Sequence, residues 1–492
     1  MSKKQVLNPY LPINEYIPDG EPHVFGDRIY IYGSHDREGG DRFCELDYRV
    51  YSAPVDDLTN WKDEGISYSK KQDPSYPNEG TDMYAPDVVQ GNDGRYYLYY
   101  ALSGKSFTAP IHVAVSENPA GPFEYYGSVR NQDGTDFTEG LTFDPAVFND
   151  NGRIYMYYGW SLALTKEQVE NQDEAFKEKM VQVEMMLFGK TEDEVRNTPN
   201  GVMGANVVEL EDDMLTVKIR PKRIVPGSVD ALNTDFENHA FFEASSIRKI
   251  EDTYYFIYSS QWMHELCYAT SKYPDREFKY GGVIISNGDI GYNGRKPEDR
   301  VALTGNNHGS IEYINGAWYV FYHRHTHKTS YSRQGCAEKI TIDNEGRIAQ
   351  VEMTSCGLND GPLETRGEYS AFYACNITDG HMPTIERDTV EEQVPFLTND
   401  DKDHYLTDIS DGTTVGFKYF EFNGATDISI NTRGAGIGKF QIYADKEFVG
   451  EIEVNGTDKW TNNQISVNIT GTKALYLKYS GTETKDMLSI EF

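Results

Sequence analysis

A tight turn opening into an aromatic strand occurs five times in this 492-residue chain, at Gly26–Tyr32, Asp93–Tyr100, Asn151–Tyr158, Glu251–Tyr258 and Asn315–Tyr322. Turn residues followed by aromatic and β-branched runs mark hairpin strands, and five copies at domain-scale intervals predict the blades of a β-propeller. The fold class expected is therefore all-β.

Take Tyr30, Tyr97, Tyr155, Tyr255 and Tyr319 as equivalent anchors. Ten to twelve residues upstream stand Asp19, Asp87, Asp144, Glu243 and His308. Equivalent positions of a propeller lie on a ring around its axis, so this spacing predicts four acids and a histidine converging on one central pocket. Gathering like charges costs free energy, which a fold tolerates mainly where chemistry needs it.

With 46 basic against 78 acidic residues, the net charge of −32 repels nucleic acid, polyanionic sugars and anionic membrane surfaces, whereas a neutral carbohydrate is not penalised. The five cysteines are scattered without CxxC spacing and read as reduced thiols. No run approaches a membrane span, and Met1–Pro9 lacks the apolar core of a signal peptide, so the location expected is cytoplasmic. Oligomeric state has no signature in the sequence.

One blade is longer than the others by a stretch from Thr165 to Val195, rich in Glu, Lys, Gln and Met. Thr165-Lys166-Glu167-Gln168 and Thr191-Glu192-Asp193-Glu194 fit the capping box, and Val169, Phe176, Met180, Val183 and Leu187 follow helical spacing. A helical insertion is expected there, either as peripheral packing or as a rim of the pocket. The repeat stops past Gln350, and turns alternating with short strands from Tyr405 onward predict a second all-β unit of sandwich type. The division expected is a propeller over 1–357 and a sandwich over 358–492.

Two carboxyl groups on opposite sides of an acetal can hydrolyse it, one protonating the leaving oxygen while the other activates water. Asp19 stands in Ile17-Pro18-Asp19-Gly20, Asp144 in Phe143-Asp144-Pro145 and Glu243 in Phe242-Glu243-Ala244-Ser245. Over about residues 8–350 these ordered motifs resemble glycoside hydrolase family 43, inverting five-bladed propellers that act on arabinosides and xylosides. The resemblance implies Asp19 as general base, Asp144 as the carboxylate tuning the acid, and Glu243 as general acid. Gly20 stands where the family has proline, and Ala244 where many members have glycine.

Further roles follow from the same resemblance. Tyr84, where many members carry tryptophan, would border the sugar; Asp87 would bind a hydroxyl; Trp160 would be either pocket wall or core. His308, in Asn307-His308-Gly309-Ser310, resembles the histidine that helps to hold a central calcium, the alternative being a hydrogen-bonding role. No organic cofactor is implied. Arg333 resembles an arginine reaching the pocket from the last blade, where it would bind hydroxyls or lower a carboxylate pKa. His323, His325 and His327 alternate at strand spacing and read as a packed or solvated face rather than a zinc site. The second unit resembles a family 6 carbohydrate-binding module, with Trp460 as its stacking candidate, although a bracing role fits equally.

The function expected is an inverting exo-hydrolase releasing terminal α-L-arabinofuranose from arabinoxylan-derived oligosaccharides. β-1,4-Xylosidase or dual activity is the alternative, and a non-catalytic sugar-binding propeller the third reading.

Overall fold

A computed structural model of the chain describes residues 4–78, 80–104, 109–171, 173–188, 191–197, 203–386 and 388–492. Four four-stranded antiparallel sheets and one three-stranded sheet follow each other along the chain. Their first strands, Glu21–Phe25, Asp87–Gln90, Ala146–Asp150, Phe241–Ile250 and Ile311–Ile314, are the inner strands of blades one to five. Each of the five aromatic repeats forms the second strand of its blade. Asn151 with Gly152, and Asn315 with Gly316, all have positive φ, the backbone that two-residue hairpins require.

Ring closure is local. Gly20 bridges Gly309 in parallel, joining blade one to blade five. The Asn8 side chain accepts from the Ala337 amide at 2.9 Å and donates to the Ala337 carbonyl at 3.1 Å, pairing with the outer strand of the three-stranded blade. Apolar clusters between adjacent blades bury tyrosines such as Tyr99, Tyr157 and Tyr258, so much of the tyrosine content is core.

The long blade is the third. Between its strands Arg153–Trp160 and Gly204–Leu210 lie helices α1 (Lys166–Glu170), α2 (Glu174–Phe188) and α3 (Glu192–Asn197). Both capping boxes form: Gln168 N donates to Thr165 Oγ1 at 3.2 Å and Glu194 N to Thr191 Oγ1 at 3.3 Å, each reciprocated by the acceptor side chain. Met180 and Val183 pack with Leu141, Phe143 and Trp160. The insertion therefore supports the wall of the central cavity from behind.

The last propeller strand ends at Ile340, and a second, ten-stranded sheet begins with Leu363–Glu364. Two long strands, Thr414–Gly434 and Thr457–Thr482, pair along most of their length and enclose an apolar core that includes Phe417, Phe440 and Leu477. The sheet docks on blade five. Arg324 Nη1 donates to the Ala374 carbonyl at 3.0 Å, and buried Lys418 pairs with Asp289 at 3.0 Å and Glu352 at 2.8 Å. All five cysteines are free thiols, and no helix among the described residues is long and apolar enough to cross a membrane.

Candidate active site

Above the inner strands opens a cavity of about 310 Å³, and every blade contributes to its lining. Asp19 and Phe43 come from blade one, Tyr84 from blade two, Phe143 and Asp144 from blade three, Phe242, Glu243 and Met263 from blade four, and Asn306, His308 and Arg333 from blade five.

Backbone geometry aims the acids. Asp19 and Asp144 each stand two residues before an inner strand, in left-handed conformation at φ 56° and 45°. Glu243 sits on a bulge: pairing steps from Phe241–Ser260 to Ser246–Ile257 with two extra residues on its strand, and Ala244 takes φ 69°. Such strain gathers at functional sites. His308 precedes Gly309, where a Cβ would lie 1.9 Å from the Phe321 carbonyl oxygen, so only glycine allows this turn to lie against the strand.

The carboxyl groups have unlike neighbours. Burial would raise the pKa of Asp19, but Arg333, His323 and His308 override it and hold the group well below the usual carboxylate range. Arg333 Nη1 lies 2.9 Å from Asp19 Oδ1, and His323 Nδ1 lies 3.3 Å from the same oxygen. The guanidinium is itself fixed: Nε and Nη2 fork onto Asp36 at 2.9 and 3.0 Å, and Phe43 covers its face at 4.8 Å. Nε, Nη1 and Nη2 of Arg333 thus each meet a carboxylate oxygen, and the residue still lines the cavity.

Glu243 is pushed up to about 7, first by burial and then by the charge of Asp19, against the opposing effects of Arg333 and an Asn306 hydrogen bond. Asp144 is raised well above its ordinary value by burial, then by Glu243 and Asp19, despite accepting the Ala244 amide at 3.0 Å. Repulsion is reciprocal, so an ionised Asp144 favours the protonated form of Glu243 in turn. The pocket thus holds one firmly ionised carboxylate and a pair that retains proton.

His308 stands 3.9 Å from Asp19 Oδ1 and 3.7 Å from Asp144 Oδ2, and burial lowers its pKa to about 4. Among the described residues two groups of three potential metal ligands come together, Glu21–His23–Asp87 and His239–Glu265–Cys267, and His308 is in neither. His308 thus stands outside both groups, with the carboxylates of Asp19 and Asp144 as its nearest acidic neighbours. His323 and His325 are buried, each directing Nε2 to the Asn306 carbonyl at 2.9 Å, while His327 Nε2 meets Asn399 Oδ1 at 2.9 Å. They brace the turn before His308 and the docked second sheet.

Two sequence-derived site residues stand elsewhere. Asp87 is off the cavity wall: its oxygens take His23 Nε2 at 2.6 Å, Val88 N at 2.7 Å and Val147 N at 2.6 Å. Strand register explains this. Asp87 opposes Tyr99 as Glu21 opposes Tyr32, so Asp87 is the counterpart of Glu21, and the position equivalent to Asp19 in blade two is Ala85. Trp160 lies behind the wall, 6.1 Å from Phe242 and against the helical insertion. In the second unit Trp460 is half-buried, with Arg433 over one face at 4.3 Å and its Nε1 donating to Asp403 at 2.8 Å.

Asp36, Phe43 and Asn306 escaped sequence reading, as did Glu386 and Asp388 at the mouth. Asp36 meets Arg333 across 297 positions and carries no periodic signal.

A pocket on a propeller axis, with one carboxylate paired to an arginine beside two further carboxyl groups, has the parts of an acid–base glycoside hydrolase. Residues 11–182 match the profile of Glycosyl hydrolases family 43. The chain is 46% identical to a "Xylosidase/arabinosidase" of Thermoclostridium stercorarium, over 99% of this chain and 98% of that protein, and 30% identical to a "Xylosidase/arabinosidase" of Bacteroides ovatus, over 70% and 97%. A solved β-xylosidase/α-arabinofuranosidase from a compost metagenome, in complex with xylotriose and in calcium-free form, is 26% identical, with a TM-score of 0.52 over 72% of this chain and 99% of its own. The chain belongs to glycosyl hydrolase family 43.

Proposed function

We propose that the protein is an inverting exo-glycosidase that releases terminal α-L-arabinofuranose from arabinoxylan-derived oligosaccharides. The observation that carries this reading is three carboxyl groups from three blades lining one pocket, of which Asp19 is paired with Arg333. Asp19, ionised by its contact with Arg333, would take the proton of an attacking water. Glu243, which keeps its proton near neutral pH, would give it to the leaving oxygen. Asp144 would share the retained proton with Glu243, tune that acid and orient the sugar, with His308 3.9 and 3.7 Å from the two aspartates. Tyr84 and Phe143, 5.3 Å apart, would supply the apolar face against which one terminal ring lies. A pocket lined from all five blades would receive a chain end rather than the middle of a polymer.

β-Xylosidase activity is the second reading, favoured by relatives whose names carry both activities. The two pentoses present similarly spaced hydroxyls to the same acids. Turnover of an aryl α-L-arabinofuranoside set against an aryl β-D-xyloside decides between them. Proton NMR of the first-formed anomer tests inversion, and net retention would remove Asp19 from the role of base.

A further inference from the structure

The mouth of the pocket is not built by the propeller alone. Between the second-sheet strands Asn376–Thr378 and Phe396–Asn399, the chain returns to the cavity and is fastened there. Ile385 N donates to the Thr304 carbonyl at 2.6 Å, Ser330 N to the Asp388 carbonyl at 2.9 Å, and Val390 N to the Lys328 carbonyl at 2.8 Å. Beneath these bonds Met382, Ile385, Val390 and Val394 bury with Leu303. The segment is thereby held across blade five at both of its ends. It places Glu386 and Asp388 in the cavity lining, both exposed, whereas Asp19 and Asp144 at the floor are buried. The Tyr331 hydroxyl donates to Asp388 Oδ1, and the Tyr331 ring meets Phe43 edge-on at 4.8 Å, which fixes that carboxylate relative to the wall.

We propose that Glu386 and Asp388 form the subsite for the leaving part of the substrate, and that its ligand is an uncharged pentose unit of the oligosaccharide chain. This rests on the exo-glycosidase reading above. With the terminal sugar at the floor, the next unit lies at the mouth, beside Glu386 and the Asp388–Tyr331 pair. Carboxylates only accept hydrogen bonds, and a pentose presents hydroxyl donors to them. The same two charges disfavour a uronic acid at that position, so the subsite selects neutral chain over acid-decorated chain. The second unit thus takes part in substrate choice through a loop.

The test compares Glu386→Gln, Asp388→Asn and the double variant with the parent on three substrates: an aryl glycoside, whose leaving group has no sugar hydroxyls, a neutral oligosaccharide, and the same oligosaccharide carrying a uronic acid next to the scissile bond. Loss of charged acceptors is expected to lower kcat/KM for the neutral oligosaccharide on the order of tenfold, mostly through KM. The aryl glycoside should stay within about twofold, and the penalty for the uronate should shrink. A parallel fall on all three substrates, or no change on any, overturns the subsite. Calorimetric titration of xylotriose separates it from the reading beneath it. If the parent cleaves none of the glycosides yet binds xylotriose, and the double variant binds it on the order of tenfold more weakly, the exo-glycosidase reading fails and the sugar site stands. If the parent is active and all variants match it in rates and binding, the subsite fails and the reading stands.

Discussion

Two rings of polar residues share the axis of this propeller, one step of the pleat apart. The upper ring, Asp19, Asp144, Glu243 and His308, faces the cavity. The lower contains Glu21, Asp87, Ser246 and Ser310, each opposite the residue two places after its blade's tyrosine anchor. Both rings bury carboxyl groups. In the lower ring those groups are met by protein: Arg248 Nη2 lies 3.1 Å from Glu21, His23 2.6 Å from Asp87, and the Ser246 hydroxyl donates to that of Ser310 at 2.6 Å. In the upper ring only Asp19 has a matched cation, and Asp144 and Glu243 keep the conflict of like charges. Neither residue type nor a raised carboxyl separates the rings, since burial pushes Glu21 up to about 7 despite Arg248; what separates them is that the upper acids line the cavity and the lower ones face protein.

The sharpest test of that contrast is activity. Glu243→Gln should lower kcat/KM on oligosaccharides about a thousandfold or more, and less on aryl glycosides whose leaving group needs no proton. Asp87→Asn, an equally buried acid one ring below, should stay within about fivefold, since its partners are structural. Equal losses in the two variants, measured side by side with folding checked by circular dichroism, would merge the rings into one site.

Stability should show the reverse ranking. Arg248→Met leaves Glu21 and Glu312 without the cation that now stands 3.1 and 3.2 Å from them, a loss of about 3–5 kcal/mol for a buried pair. A denaturant midpoint unchanged from the parent would mean that the lower ring is not held by this pair.

The pH dependence of kcat/KM sharpens the account of the upper ring. Glu243 acts in its protonated form, and its pKa is raised to about 7 by burial and by Asp19, so activity should persist through the weakly acid range and fall as pH rises past about 7. Asp19 is held below the usual range, so the acid limb should lie lower than that of an ordinary carboxylate. An alkaline limb starting near pH 5 would show that Glu243 is not the acid or is not so enclosed.

Much of this was legible in the chain. The turn-plus-aromatic repeat implies the blades because hairpin chemistry is local, and the capping boxes around Thr165 and Thr191 place helices for the same reason. Asp19, Asp144, Glu243, Tyr84, His308 and Arg333 all reach the cavity lining. Asp87 misled because residue counting cannot see register: a step of two along an inner strand moves a side chain from the upper ring to the lower. Asp36, Glu386 and Asp388 were invisible because their partners are brought near only by ring closure or by docking of the second sheet.

The smallest expected effect concerns Ala244, which divides the two protonatable acids. Its amide holds Asp144 at 3.0 Å, its carbonyl neighbour is the bulge that aims Glu243, and its φ of 69° is disfavoured for any residue with a Cβ. Replacement by glycine removes about 1–2 kcal/mol of that strain. It also gives up about 0.8 kcal/mol of buried methyl and roughly 0.5–1 kcal/mol of unfolded-state entropy. These terms nearly cancel, so Ala244→Gly should leave the denaturant midpoint almost unchanged and kcat/KM within about threefold. Ala244→Val keeps the conformational demand and adds β-branching where φ is positive, so it should lose activity with the bulge. If valine is as active as glycine, the left-handed bulge is not what aims Glu243, and the difference between the rings must lie in charge alone.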